Sequence, residues 1–262
     1  MVKFRGFLID LDGVVYTGTT PLPGAAATIA WLQECGYPFR YISNSTRRSV
    51  RSLVRMLGEW GISATPGMVL TPAVAAADLI RKRSGSRVFL LTTEDVREDF
   101  SNAGLVPSRT GCDAVVIGDC GDSFTYSSLN GAFRLIHEGV PFIALEKDRY
   151  FRDTDGLSLS AGPFVVALEY ATGRKAELVG KPSPEFFRAG LRSLGLAPGE
   201  AAMIGDDVVS DIGGAMGIGM GGLLVRTGKF SPESLAQARK PPTAVIASIA
   251  SLREYLEGTG PE

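Results

Sequence analysis

Histidine is almost missing from this chain: His137 is the only one among 262 residues. That scarcity excludes a metal centre built from a histidine cluster and any proton relay that needs more than one imidazole. His137 itself lies in LNGAFRLIHEG, toward the expected end of an amphipathic helix before Gly139, and reads as a surface residue where a cation is favoured. Cysteine is scarce as well. Cys35, Cys112 and Cys120 are odd in number and form no C-x-x-C pair, so neither a disulfide framework nor a zinc site is indicated, and reduced thiols are the simpler reading. An excess of charge is also absent. With 27 Lys+Arg against 28 Asp+Glu the net charge is -1, which supplies neither the basic field that nucleic acid requires nor an acidic disordered tail. No apolar run approaches the ~20 residues that span a bilayer, and the opening residues enter a strand without the features of a signal peptide. The expectation is a soluble cytoplasmic protein with no nucleic-acid and no membrane partner.

What the chain does have is alternation. At 45% hydrophobic content it can build a packed interior, and strand-like runs such as GFLID, PFRYIS, RVFLLT, DAVVIGD, PFIAL, AELVG, AAMIG and GGLLVRT alternate with helical patterns such as AAATIAWLQECG, SVRSLVRMLGEWG, SPEFFRAGLRSLG and VVSDIGGAMG. This pattern predicts an α/β protein with a Rossmann-like, mainly parallel sheet. Gly36, Gly61 and Gly195 fall where those helices should stop. The stretch between Ser43 and Lys181 carries strands and helices of its own and is too long for a loop, so roughly residues 80–178 are read as an inserted α/β domain within a core of 1–79 and 179–262. The tail KPPTAVIASIASLREYLEG reads as a last strand and a closing helix.

In open parallel sheets, ligands bind beyond the carboxyl ends of the strands. Four such places carry polar residues: Asp10 and Asp12 with Gly13, Ser43 with Asn44 and Ser45, Lys181 with Pro182, and Asp206 with Asp207, followed by Asp211. The carboxylates would repel one another at one sheet edge, and a hard divalent cation such as Mg²⁺ resolves that repulsion. A cation, an aspartate, a hydroxyl and a lysine together are the equipment of phosphoryl transfer, with one aspartate as nucleophile and another as general acid and base. Asp10 and Asp12 are separated by one residue because a strand alternates its faces; a bend just past Asp10 is needed for both to reach one phosphate, and Gly13 permits that close approach. Gly217-Ile-Gly219-Met-Gly221-Gly222 matches a dinucleotide fingerprint in letters, but it follows a helix and enters a strand, so it reads as a turn.

DLDGV, SNSTR, GKP and GDDVVSD resemble, in order, the four motifs of the haloacid dehalogenase-like superfamily of aspartyl phosphatases, and the insertion resembles the α/β cap of its subfamily IIA. The segments ALEKDRYFRDTDGL and GPFVVALEYATGRKAELVGKP look most like the branch that contains phospholysine phosphohistidine inorganic pyrophosphate phosphatase and its hydrolase-domain relatives. The resemblance implies Asp10 as nucleophile, and Asp12 as general acid and base with its backbone carbonyl on Mg²⁺. It implies Ser43 and Asn44 as phosphate holders, and Lys181 as the residue that fixes nucleophile and phosphate together. Asp10, Asp12 and Asp206 are the implied metal ligands, with Asp207 and Asp211 in support. In the cap, Lys147, Arg149, Tyr150 and Arg152 are candidates to face the leaving group, Lys147 first because it directly follows a strand. Phe164, Val165, Val166 and Leu168 read as helix core. A cap closing over the core implies a small phosphorylated substrate; relatives often pair through the cap, which leaves a homodimer open. A rival reading is a phospho-aspartate signalling switch without turnover, which explains Asp10, Ser43 and Lys181 but gives Asp12 and the insertion no purpose.

Overall fold

The computed structural model describes residues 4–153 and 156–259, without the side chains of Arg152 and Asp153. The described chain divides into two units. The first contains the residues up to Ser43, Leu53–Leu70 and those from Lys181 onward; the second contains Asn44–Ser52 and Thr71–Gly180.

The strand Gly6–Asp10 is apolar up to its last residue and buried throughout, as a strand covered on both faces must be. It lies inside a six-stranded sheet whose order is Ala244–Ile246, Gly221–Val225, Ala201–Gly205, Gly6–Asp10, Phe39–Ile42, Val69–Leu70, and every pairing in it is parallel. From Gly6–Asp10 the chain winds outward through Phe39–Ile42 and Val69–Leu70, then returns to Ala201–Gly205 and winds the other way. That is the doubly wound Rossmann order, whose switch point lies between Gly6–Asp10 and Ala201–Gly205.

Helices follow the expected punctuation. Pro184–Leu194 begins at a proline and ends at Gly195 in the left-handed region, and it buries Phe186, Phe187, Gly190 and Leu191 on one face. Each phenylalanine buried in this way contributes roughly 1.5–3 kcal/mol. Gly190 lets the helix lie close to the central strand, because a Cβ there would stand 2.9 Å from Leu8 Cδ2. Gly36 and Gly61 also take positive φ beyond their helices. The Gly217–Gly222 run is the helix-to-strand turn that its context predicts, between Gly214–Gly217 and Gly221–Val225.

The second unit has its own parallel sheet, ordered Glu177–Leu178, Phe142–Ala144, Ala114–Ile117, Arg87–Leu91, Val106–Pro107. The helix Pro72–Lys82, through which a boundary at residue 80 would pass, sends Ala73, Ala76, Ala77 and Ile80 into one apolar cluster with Val88, Leu90, Val96 and Phe100. A hairpin of Tyr150–Asp153 and Gly156–Leu159 completes the unit. His137 closes the helix Tyr126–His137 and stacks on Phe133. Val165 and Leu168 are buried as expected of helix core, whereas Val166 is exposed, one position off the buried stripe. The cysteines are free thiols. Among the described residues, no helix is long and apolar enough to cross a membrane.

Two elements differ from the sequence reading. AELVG does form a strand before Lys181, but Glu177–Leu178 pairs with Phe142–Ala144 in the second sheet, so Lys181 is not carried by a strand of the first. VVSDIGGAMG, read as a helix, is a wide π-type turn over Val208–Gly213 followed by the short helix Gly214–Gly217. The N–H groups of Asp211 and Ile212 both donate to the carbonyl of Asp207, and the wider turn carries the Asp211 side chain inward, fully buried.

Candidate active site

Parallel register brings the first unit's polar residues together. Asp10 lies opposite Ile42, so Ser43 is the next residue along the neighbouring strand; Ile9 lies opposite Ile204, so Asp206 emerges one residue beyond the level of Asp10. Past Asp10 the chain turns sharply: the N–H groups of Val14, Val15 and Tyr16 all donate to the carbonyl of Leu11, and Gly13 has φ 84°. Asp12 sits within this turn, two residues past Asp10.

Carboxylate oxygens of Asp10, Asp206 and Asp211 lie within 4.8 Å of one another, and all three residues are buried. Lys181, also buried, places its Nζ 2.8 Å from Asp10 Oδ1 and 2.6 Å from Asp211 Oδ1. Asp10 Oδ1 accepts a second hydrogen bond, from the N–H of Leu11 at 2.8 Å. Asp211 Oδ2 accepts from the N–H of Asp207 at 3.1 Å. A Cβ at Gly205 would stand 2.4 Å from the Cβ of Asp211, so only glycine leaves room for that inward carboxylate.

Three carboxylates against one ammonium leave the cluster short of positive charge, and the protonation equilibria register this. Burial, then the like charge of Asp211, pushes the Asp10 carboxyl well above the usual range against the pull of Lys181. Burial and Asp211 likewise push Asp206 up to about 7. For Lys181 burial works against the charge, but Asp10 and Asp211 outweigh it and hold the ammonium more firmly protonated than an ordinary lysine. An all-oxygen donor set with a buried negative excess fits a hard divalent cation, and no imidazole or thiolate is present to favour a softer one.

Asp207 stands apart from this cluster. Its Oδ1 accepts from the N–H groups of Val209 and Ser210 at 2.8 and 2.9 Å. Burial acts to raise its carboxyl, yet the Ser210 bond, Lys229 and the Val209 bond bring it below the ordinary carboxylate range. Asp207 is thus the cap of the turn that delivers Asp211. The Asp12 side chain is exposed and outside the buried group. Ser43 is buried and its N–H donates to the carbonyl of Leu70. Asn44 falls in the second unit, as does Lys147, whose Nζ lies 3.1 Å from both carboxylate oxygens of Glu169. Tyr150 is exposed, and the side chain of Arg152 lies outside the described residues.

The stretch Thr227-Gly228-Lys229, which the sequence reading left out of the candidate residues, also reaches this group. Beyond the strand Gly221–Val225, Lys229 donates its N–H to Asp206 Oδ2 at 2.6 Å, and Thr227 Oγ1 donates to the carbonyl of Gly13. The signal was available: these residues follow GGLLV at the same carboxyl edge as Asp10 and Asp206.

Comparison with known proteins bears on the family and the fold. The family model described as haloacid dehalogenase-like hydrolase matches residues 7–106, and a second, HAD-hydrolase-like, matches residues 178–252. The chain is 42% identical over 234 residues to phospholysine phosphohistidine inorganic pyrophosphate phosphatase of Homo sapiens, covering 87% of this chain and 85% of that protein. It is 39% identical over 252 residues to haloacid dehalogenase-like hydrolase domain-containing protein 2 of Rattus norvegicus, covering 96% and 95%. The structure of p-nitrophenyl phosphatase from Archaeoglobus fulgidus superposes with a TM-score of 0.92 at 29% identity, over 97% of this chain and 100% of that one. Matched by family models at both ends and by relatives along nearly its whole length, the chain belongs to the haloacid dehalogenase-like hydrolases.

Proposed function

We propose that the protein hydrolyses small phosphorylated metabolites in a Mg²⁺-dependent reaction through an aspartyl-phosphate on Asp10. That it is a phosphatase rests on its family and on relatives that bear that name; the mechanism rests on the geometry of one residue. Asp10 is buried, and its Oδ1 is engaged by both Lys181 and the N–H of Leu11. With Oδ1 held, Oδ2 is the oxygen that attacks phosphorus while the bond to the leaving oxygen breaks.

Asp12, exposed at the turn, gives its proton to the leaving oxygen. In the second half-reaction it takes a proton from water, whose oxygen displaces phosphate from Asp10 and restores the carboxylate. Lys181, Ser43 and Asn44 meet the charge on the phosphoryl oxygens. Asp10, Asp206 and the backbone carbonyl of Asp12 would hold Mg²⁺, with Asp211 beside them and Asp207 supporting the turn. The cation would supply charge neutralisation at the transferring group. Leaving-group selection is assigned to the inserted unit, with Lys147, steadied by Glu169, as the residue to test: Lys147→Ala should raise KM more than it lowers kcat.

The deciding experiment is phosphate release from p-nitrophenyl phosphate, sugar phosphates, nucleoside monophosphates, glycolate phosphate, pyridoxal phosphate and pyrophosphate, each with Mg²⁺, with EDTA, and with Asp10→Asn. Metal-dependent turnover that disappears in the variant supports the reading. Stable phosphorylation of Asp10 by a small phosphodonor, with no turnover of any substrate, would favour a signalling switch in its place.

A further inference from the structure

We infer that Thr227-Gly228-Lys229 is a clasp that presents Asp206 to the cation through a single oxygen, and that Thr227 is a positioning residue for cation affinity. This rests on the reading of Asp206 as a metal ligand. Three chain segments meet at that carboxylate. From the loop after the central strand, Gly13 approaches so closely that a Cβ there would stand 2.0 Å from Asp206 Oδ2. From the far side, a Cβ at Gly228 would stand 1.9 Å from the same oxygen and 2.5 Å from the Cα of Gly13. Two bare backbones therefore form a slot around Oδ2, and the N–H of Lys229 closes it with a 2.6 Å hydrogen bond.

Oδ2 is thereby committed to protein, which leaves Oδ1 as the donor. One-oxygen coordination suits Mg²⁺, which keeps a strict octahedron at short distance, better than Ca²⁺, which accepts bidentate carboxylates.

The slot keeps its width only if its two walls are tied together. The hydroxyl of Thr227, donating to the carbonyl of Gly13, is that tie. The peptide that carries the Asp12 carbonyl, the second oxygen assigned to the cation, is held by its own N–H, which Gly13 donates to the carbonyl of Tyr16 at 2.7 Å; the Thr227 bond steadies the next peptide along the same loop. Residues that orient metal ligands in this way affect affinity without touching the metal.

The test compares the wild-type protein with Thr227→Val, Thr227→Ser and Asp206→Asn, by Mg²⁺ titration of the melting temperature and by calorimetric binding of Mg²⁺, with Ca²⁺ as a parallel probe. Thr227→Val is expected to weaken Mg²⁺ binding by about tenfold and to narrow the preference over Ca²⁺, while Thr227→Ser, which keeps the hydroxyl, stays near wild type. A purely structural hydroxyl would lower the metal-free melting temperature and leave the half-saturating Mg²⁺ concentration unmoved. That outcome, or equal Mg²⁺ affinity in Thr227→Val and wild type, overturns the clasp. Wild-type protein that binds no Mg²⁺ overturns instead the metal reading beneath it, and Asp206→Asn, expected to lose binding, separates the two. Thr227 is only partly buried, and should Thr227→Val not fold, Gly228→Ala, which fills the slot at Oδ2, must show the same weakening or the inference fails.

Discussion

Lys181 and the three aspartates around it illustrate how a site can oppose the fold that holds it. Removing the ammonium leaves Asp10 and Asp211 buried without their partner, so Lys181→Met should cost on the order of 3–5 kcal/mol in a urea titration as well as abolish turnover. Asp206 behaves in the opposite sense. Its folded carboxyl is pushed to about 7, above the 3.8 of an ordinary aspartate, so at pH 8 its ionised form carries a desolvation and repulsion cost that a neutral isostere escapes. Asp206→Asn is therefore expected to raise the melting temperature of metal-free protein at pH 8 and to remove its response to Mg²⁺. A lower melting temperature would show that the Lys229 bond outweighs the repulsion. Asp10, Lys181 and Asp206 stood out in the sequence because each ends or follows a strand-like run, and Asp211 because it completes GDDVVSD. The burial of Asp211 was not legible, since nothing in the letters VVSD states which way a side chain turns.

At the scale of elements, the strand Ala201–Gly205 and the π-type turn after it act as one unit. Gly205→Ala would put a methyl group 2.4 Å from the Cβ of Asp211, an atom too close to the backbone to swing away. A cost of roughly 1–3 kcal/mol in thermal or urea unfolding is expected from this overpacking, with a larger fractional loss of kcat as Asp211 leaves the cluster. Retention of full activity would mean the turn can relax outward without moving Lys181. Periodicity could not distinguish this turn from a helix, because over six residues the spacings of a π-type and an α-helical turn place the same apolar residues on one side. AELVG presents the matching problem for sheets: its strand was legible, but strand letters carry no label for the sheet that pairs with them. Thr227 and Lys229 escaped for a third reason, since they act through a short polar contact and a backbone N–H, and any residue but proline has that N–H.

For the molecule as a whole, the alternating strands, the glycine stops and the long insertion were enough to give a Rossmann-like architecture, while the chain's path through its two units emerged only from packing. Within the second unit, Asp95 accepts from the N–H and hydroxyl of Ser49 and from the hydroxyl of Ser52, and Asp99 accepts from the N–H of Val50. Burial raises the Asp99 carboxyl to about 6 against the lowering effect of that N–H. The folded chain thus keeps a proton that the unfolded chain releases near pH 4, and stability should fall as pH rises from about 4 to about 6, by up to roughly 3 kcal/mol. Asp99→Asn should flatten that slope in melts run across the interval; an unchanged slope would assign it to other groups.

Because Asn44–Ser52 belongs with Thr71–Gly180, while Leu53–Leu70 belongs with the other unit, the chain passes between units at four peptide bonds, one of them inside the helix Val50–Glu59. The insertion is therefore not a cassette. Trimming Thr71–Gly180 down to a linker would strand the Ser49 and Val50 N–H groups without the carboxylates that receive them, and a chimera with a relative has to exchange both segments together, with the SNSTRRS stretch matched to the acids that hold it.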